Sequence, residues 1–239
     1  MALTIYNRKR NFEHTTEPAG RIKNSISQLV FVVQRHKASQ LHYDFRLELD
    51  GVLKSWAVPK GPSLNPKDKR LAMMVEDHPY DYKDFEGTIP EGNYGAGIVE
   101  IWDSGTYSDI ENSSKETAEK NLRAGLKSGD LKFRLFGKKL KGEFALVKLK
   151  NKTDNSWLLI KHRDEWAIDE EYSSENHTEM DSPINLWLAE NKKGSKKNRS
   201  QSQYIKSPCQ VVKRSPIVSS QCFPGRRITL LMPKAGFLK

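Results

Sequence analysis

The sequence predicts a mainly β protein, a compact antiparallel β-barrel with one or two short helices and a disordered basic C-terminal tail. Three observations carry this. Short runs of β-branched and aromatic residues recur through residues 28–168, turn-forming residues separate most of them, and only one segment has a clear helical period.

Taken in order, residues 1–27 read as an extended arm that contributes to the site, punctuated by Pro18-Ala19-Gly20. Leu29-Val30-Phe31-Val32-Val33 reads as a buried strand, and Leu41 to Leu49 alternates strictly between apolar and polar residues. Asp50-Gly51 suits a two-residue type I′ turn, with Val52 to Val58 as the returning strand. Further strands are expected at Arg70–Glu76, Gly97–Asp103, Asp130–Phe136, Gly142–Lys150 and Ser156–His162. One helix is expected over Lys115–Lys127. There Ser113 and Glu116 offer a capping box, Ala118, Leu122 and Leu126 share a face, and Gly129 stands where a C-terminal cap belongs. The pattern dissolves after residue 168. Residues 169–239 read as an acidic, serine-rich linker and a basic tail, with Ile184 to Glu190 long enough for a helical turn or two.

Charge placement narrows the function. The chain of 239 residues carries a formal charge of +10. Residues 191–239 hold 12 Lys and Arg and no acidic residue, leaving 28 basic and 30 acidic side chains in residues 1–190. The folded part is not basic, so it must meet a polyanion through local clusters. Cys209 and Cys222 form neither a disulfide framework nor a zinc-finger spacing. No apolar run approaches the roughly 20 residues of a membrane-spanning helix. Arg8-Lys9-Arg10 is followed by no apolar stretch of the kind a secretory signal needs. The expectation is a cytoplasmic monomer with no membrane partner.

Within Leu41–Leu49 the odd positions form an apolar face, and the even positions are His42, Asp44, Arg46 and Glu48. Alternating charges ordinarily mean a solvated face. His42 and Asp44 two apart, followed by Arg46, are instead metal-ligand types beside an anion clamp, and His36 lies close enough upstream for a turn to bring it alongside. Two imidazoles and a carboxylate suit a borderline divalent ion such as Mn²⁺, Zn²⁺ or Fe²⁺, with positions left open for water and substrate. His78, Tyr82, Lys60 and Arg70 form a second group able to surround a phosphoryl group, with Glu76 beside them. The glycine-rich segment Phe85–Gly97 lacks the P-loop Lys-Ser/Thr and reads as a structural loop.

Several of these segments together resemble the 3′-phosphoesterase domain of bacterial DNA ligase D and its stand-alone relatives. They are Arg35-His36-Lys37-Ala38, Leu41–Glu48, Trp56–Ser63, Glu76-Asp77-His78-Pro79 and Phe85–Gly97, with the arm residues Arg8–Phe12 and Glu17-Pro18 ahead of them. The likeness runs to about Trp166. It implies a small β-barrel and a Mn²⁺-dependent enzyme, Co²⁺ or Zn²⁺ being alternatives, that removes a 3′-terminal ribonucleoside and then the 3′-phosphate. By this resemblance His36, His42 and Asp44 are metal ligands. Arg46, Lys60, Arg70, His78 and Tyr82 surround the phosphate, Glu76 supports the site, and Arg10 and Glu17 contribute from the arm. Partners implied are DNA 3′ ends (primer-template or duplex), a separate ligase and end-binding repair proteins. One departure is Asn11, where the family commonly has Asp, which bears on ribonucleoside removal more than on the phosphatase step. No ligase lysine motif or polymerase module accompanies the domain, so the chain looks like the stand-alone form.

Two rival readings remain. His42-x-Asp44 with His78 is also the outline of a non-haem Fe(II)/2-oxoglutarate oxygenase, with Arg46 or Arg70 holding the keto acid. The other is a non-catalytic DNA-binding repair module that relies on its basic tail.

Overall fold

The computed structural model describes residues 3–150 and 155–191. The strands are β1 (Leu29–Lys37), β2 (Leu41–Leu49), β3 (Val52–Val58), β4 (Lys69–Met74), β5 (His78–Pro79), β6 (Gly87–Ile89), β7 (Gly97–Ser108), β8 (Asp130–Gly137), β9 (Lys141–Lys148) and β10 (Ser156–Lys161). They pair antiparallel in the order β1-β2-β3-β4-β10-β9-β8-β7, and β7 pairs back onto β1, so eight strands close into a barrel. The mainly β expectation holds. Closure leaves no free edge among those eight strands.

The barrel interior is where the odd residues of β2 go. Tyr43, Phe45, Leu47 and Leu49 join Phe31, Val33, Trp56, Phe133, Phe144 and Trp157 in one apolar core. Each such side chain contributes about 1.5–3 kcal/mol by leaving water. Helix α2 (Lys115–Ser128) adds Ala118 and Leu122 to that core.

The other face of the same strands is roofed. A second apolar cluster contains Leu3 and Tyr6 around the short helix α1 (Thr4–Arg8), Tyr82 and Phe85 around the 3₁₀ turn Tyr80–Asp84, and Ile89 of β6. Beneath this roof the even residues of β2 are enclosed, with Asp44 at 7%, Arg46 at 2% and Glu48 at 0% exposure. The ordinary solvated-face reading fails here. Glu48 anchors the arm, accepting hydrogen bonds from the Ser25 amide and hydroxyl and from the Val30 amide.

Local expectations are met at the hairpin and at the helix end. Asp50 and Gly51 both have positive φ (55° and 75°), as a type I′ turn requires. Gly129 closes α2 in the left-handed conformation, its amide bonded to the Gly125 carbonyl.

Three details differ. The arm is not wholly extended, since Thr4–Arg8 is helical. The capping box does not form: Ser113 donates to Asp109, and the N-cap is Ser114. Strand β1 runs on through Gln34–Lys37, because Gln34 and His36 gain partners under the roof while Arg35, on the opposite face, pairs with Glu100.

The expected linker from residue 169 packs onto the barrel through residue 191. Glu175 ion-pairs with Arg35 at 2.6 Å and accepts the Tyr43 hydroxyl, Ser174 donates to the Pro62 carbonyl, and Ile184 is fully buried. Residues 183–191 are helical. The tail expected over 192–239 lies outside the described residues. Among those described, no helix is long and apolar enough to cross a membrane.

Candidate active site

Pairing of β1 with β2 sets His36 directly opposite His42, and Gln34 opposite Asp44. Alternation then puts His36, His42, Asp44 and Arg46 on one face. Candidate ligand atoms of His36, His42 and Asp44 lie within 4.8 Å of one another. His36 Nδ1 is 3.6 Å from Asp44 Oδ2, and His42 Nε2 is 3.7 Å from Asp44 Oδ1.

The remaining imidazole nitrogens settle the tautomers. His36 Nε2 lies 2.9 Å from the Gly95 carbonyl, and His42 Nδ1 lies 3.0 Å from the Gln40 carbonyl. A carbonyl only accepts, so each of those nitrogens carries the proton and the opposite lone pair faces Asp44. This is the arrangement that orients histidine ligands in metal sites. Asp44 is charged despite its surroundings. Burial pushes its carboxyl up, but the Arg46 guanidinium beside it outweighs that and holds it well below the usual carboxylate range. The donor set fits a borderline divalent cation.

Around the cluster is a cavity of about 340 Å³, lined also by Arg10, Glu17, Arg46, Glu76, His78, Tyr82 and Tyr94. Arg46 is held by Gln34 at Nε, Ser55 at Nη1 and Asp44 at Nη2. Three of its five N–H donors are so engaged, leaving two for a ligand oxygen. Arg10 reaches in from the arm, donating to Glu17 at 2.9 Å and to His78 Nε2 at 3.2 Å, with its guanidinium 3.8 Å from the Tyr6 ring centre. Glu17 also accepts the Tyr82 hydroxyl at 2.9 Å. Glu76 accepts from Lys9 at 3.1 Å and from Arg10 at 3.4 Å, and so supports the arm.

His78 Nδ1 is 2.9 Å from the Glu76 carbonyl, so the proton sits there and Nε2 accepts from Arg10. Burial, then Arg46 and Arg10, lower its pKa well below 6.5, and the ring stays neutral. Both nitrogens are occupied and His78 stands outside the ligand cluster, which removes the oxygenase triad of His42, Asp44 and His78. Tyr82 is the opposite case. Burial raises its pKa far above 10, so the hydroxyl keeps its proton.

Two expected residues are placed elsewhere. Lys60 and Arg70 line a neighbouring cavity with Leu41, Tyr43, Tyr172 and Glu175, on the far side of β2 from the metal cluster. Arg70 donates to Asp68 and to the Tyr172 carbonyl, each at 2.7 Å. Asn11 does not line the site either. It is exposed, and its side chain accepts the Glu13 amide in a local turn.

Sequence reading missed three contributors. Gln34 is fully buried, holding Arg46 while donating to the carbonyls of Tyr82 and Phe85. A glutamine inside an apolar strand was its only signal. The Phe85–Gly97 loop is more than a connection, since Gly95 orients His36 through a backbone atom that side-chain patterns cannot show. Tyr94 of the same loop lines the cavity.

Fold and site together define a closed β-barrel whose outer wall carries a two-histidine, one-carboxylate cluster facing buried cations. Residues 34–148 match the DNA ligase D 3′-phosphoesterase domain, and the chain belongs to that family. It is 52% identical over 165 residues to the multifunctional non-homologous end joining protein LigD of Pseudomonas aeruginosa, covering 68% of this chain and 19% of that protein. The LigD of Mycolicibacterium smegmatis is 40% identical over 164 residues, 68% of this chain and 21% of that protein. The LigD of Mycobacterium tuberculosis is 44% identical over 147 residues, 61% of this chain and 18% of that protein. The chain thus spans about a fifth of the length of these curated relatives.

Proposed function

We propose that this chain is a divalent-metal-dependent phosphoesterase that processes DNA 3′ ends, removing a 3′-phosphate and, as a second activity, a 3′-terminal ribonucleoside. The hydroxyl so exposed would be used by a separate ligase in end joining. The observation that carries this reading is the tautomer pair: both histidines are fixed by backbone carbonyls with their lone pairs turned on Asp44. Family membership and the end-joining function in the relatives' names support it.

His36, His42 and Asp44 would hold the ion, with Mn²⁺ as the first candidate and Co²⁺ or Zn²⁺ as alternatives. When bound it would supply Lewis-acid polarisation of a phosphate oxygen. Arg46 offsets charge on the equatorial oxygens through its two uncommitted N–H groups. Tyr82 keeps its proton and donates it to Glu17, so it serves by holding the carboxylate that anchors Arg10. Neutral His78 serves by holding Arg10 over the cavity. Lys60 and Arg70, one cavity away, suit a neighbouring backbone phosphate of the same strand better than the scissile one.

The test is a 3′-end assay with the full chain across Mn²⁺, Co²⁺, Zn²⁺ and Mg²⁺. Oligonucleotides ending in 3′-phosphate or in one ribonucleotide are compared, with and without vanadate, which mimics the pentacoordinate phosphorus. Metal-stimulated, vanadate-sensitive release of phosphate is expected. An untouched 3′-phosphate with every metal would sink the proposal.

A further inference from the structure

The cavity has one wall that the chemistry above does not use. Among its lining residues, all of them described, Tyr94 is the exposed one, at 49%, whereas Asp44, Arg46, His78 and Tyr82 are buried. A ring half in water keeps apolar area that a ligand can gain by covering. Lys9 Nζ stands 4.2 Å from the Tyr94 ring centre and donates to its hydroxyl at 3.1 Å, which fixes the ring. Among the described residues no other aromatic ring packs on it. The next residue, Gly95, holds His36 through its carbonyl, so the ring is set one residue from the group that orients that imidazole.

We propose that Tyr94 is a binding platform for the nucleobase of the 3′-terminal nucleotide, which stacks on its exposed face while the 3′ substituent enters the cluster of His36, His42 and Asp44. This rests on the 3′-end reading given above. Three features favour a base over other occupants. A π-face accepts any of the four bases, as end processing without sequence preference needs. Lys9 and Arg10, 4.2 and 5.7 Å from the ring centre, supply positive charge where the attached phosphates would run. The ring also lines the same cavity as the ligands, so one nucleotide can touch both.

The test compares oligonucleotides carrying a 3′-phosphate on either a normal terminal nucleotide or an abasic terminal sugar, using the full chain and Mn²⁺. Wild type should favour the base-bearing end in kcat/KM by about 5- to 100-fold, the usual worth of one base–aromatic stack. The effect should sit mainly in KM. Tyr94→Ala should lose that preference, its loss on the base-bearing end exceeding its loss on the abasic end by the same roughly 5- to 100-fold, and Tyr94→Phe should keep it. A terminal 2-aminopurine should be quenched on binding to wild type and Tyr94→Phe but not to Tyr94→Ala. Equal losses on both ends in Tyr94→Ala, with quenching retained, would mean the ring only holds Lys9, and would overturn the proposal. Absence of cleavage of either end by wild type would instead reject the 3′-phosphoesterase reading itself, while the quenching experiment would still report on Tyr94.

Discussion

His36 and His42 face each other across the first hairpin with ring centres 4.8 Å apart, and each is tied by its outer nitrogen to a backbone carbonyl. Asp44 completes the group and is itself bound by Arg46 at 3.0 Å. Removing its charge therefore does two things. Asp44→Asn should weaken divalent-metal binding by more than the roughly 10- to 100-fold that loss of an outer-sphere partner costs, because Asp44 is itself a proposed ligand. It should also cost about 3 kcal/mol of stability before any metal is added, because Arg46 is left as a buried cation without its carboxylate. Calorimetric metal titration and urea unfolding check the two effects separately.

His78 gives a pH prediction with a definite sign. Its folded pKa is lowered, so below about 6.5 the unfolded chain takes up a proton that the folded ring refuses. This part of the stability is fully present above pH 6.5 and is lost as pH falls toward the depressed value. Melting temperatures between pH 7 and 5 should decline more steeply for wild type than for His78→Gln, which does not titrate. Nitrogen NMR should show the Nδ1–H tautomer of His78 persisting through pH 6.5.

Arg10 and Glu17 act as one unit with Tyr82, the two arm side chains being 4% and 0% exposed. Arg10→Ala leaves the Glu17 carboxylate buried without its cation, a loss of about 3–5 kcal/mol to the docked arm. The barrel itself should stay folded, since the arm adds no strand to it. Limited proteolysis should cut residues 9–18 faster, and turnover should fall about 100-fold through misplaced groups.

Residues 169–191 supply the next prediction. Truncation after residue 168 strips Arg35, a fully buried guanidinium, of Glu175 and Asn185, and uncovers Trp102, whose indole donates to Ser174 and Thr178. The shortened chain should melt several degrees lower than one ending at residue 191. Equal melting temperatures would show that the segment contributes nothing to the barrel.

How far the sequence could be read depended on the distance over which each feature is encoded. Asp50-Gly51, Gly129 and the alternation of Leu41–Leu49 are local, so the turn, the helix C-cap and the face carrying His42, Asp44 and Arg46 are legible. The pairing of His36 with His42 needs only a short turn at residues 38–40, and it too was within reach. Arg35 with Glu175 joins residues 140 apart, and the polar composition around Glu175 reads as linker until the partner is known. Motif alone groups Lys60 and Arg70 with the phosphate clamp. Whether a strand-end residue turns toward the outer wall or toward the mouth between β2 and residues 171–175 depends on the closed barrel.

The most direct measurement is phosphate release from a 3′-phosphate oligonucleotide as Mn²⁺ is added back to chelator-treated protein, for wild type and for a folded His42→Ala variant. Saturable activation of wild type, with His42→Ala at least about 100-fold slower, is the expected result. Equal rates for the two proteins, or release undiminished by the chelator, would contradict the assignment of His36, His42 and Asp44 as the centre of the chemistry.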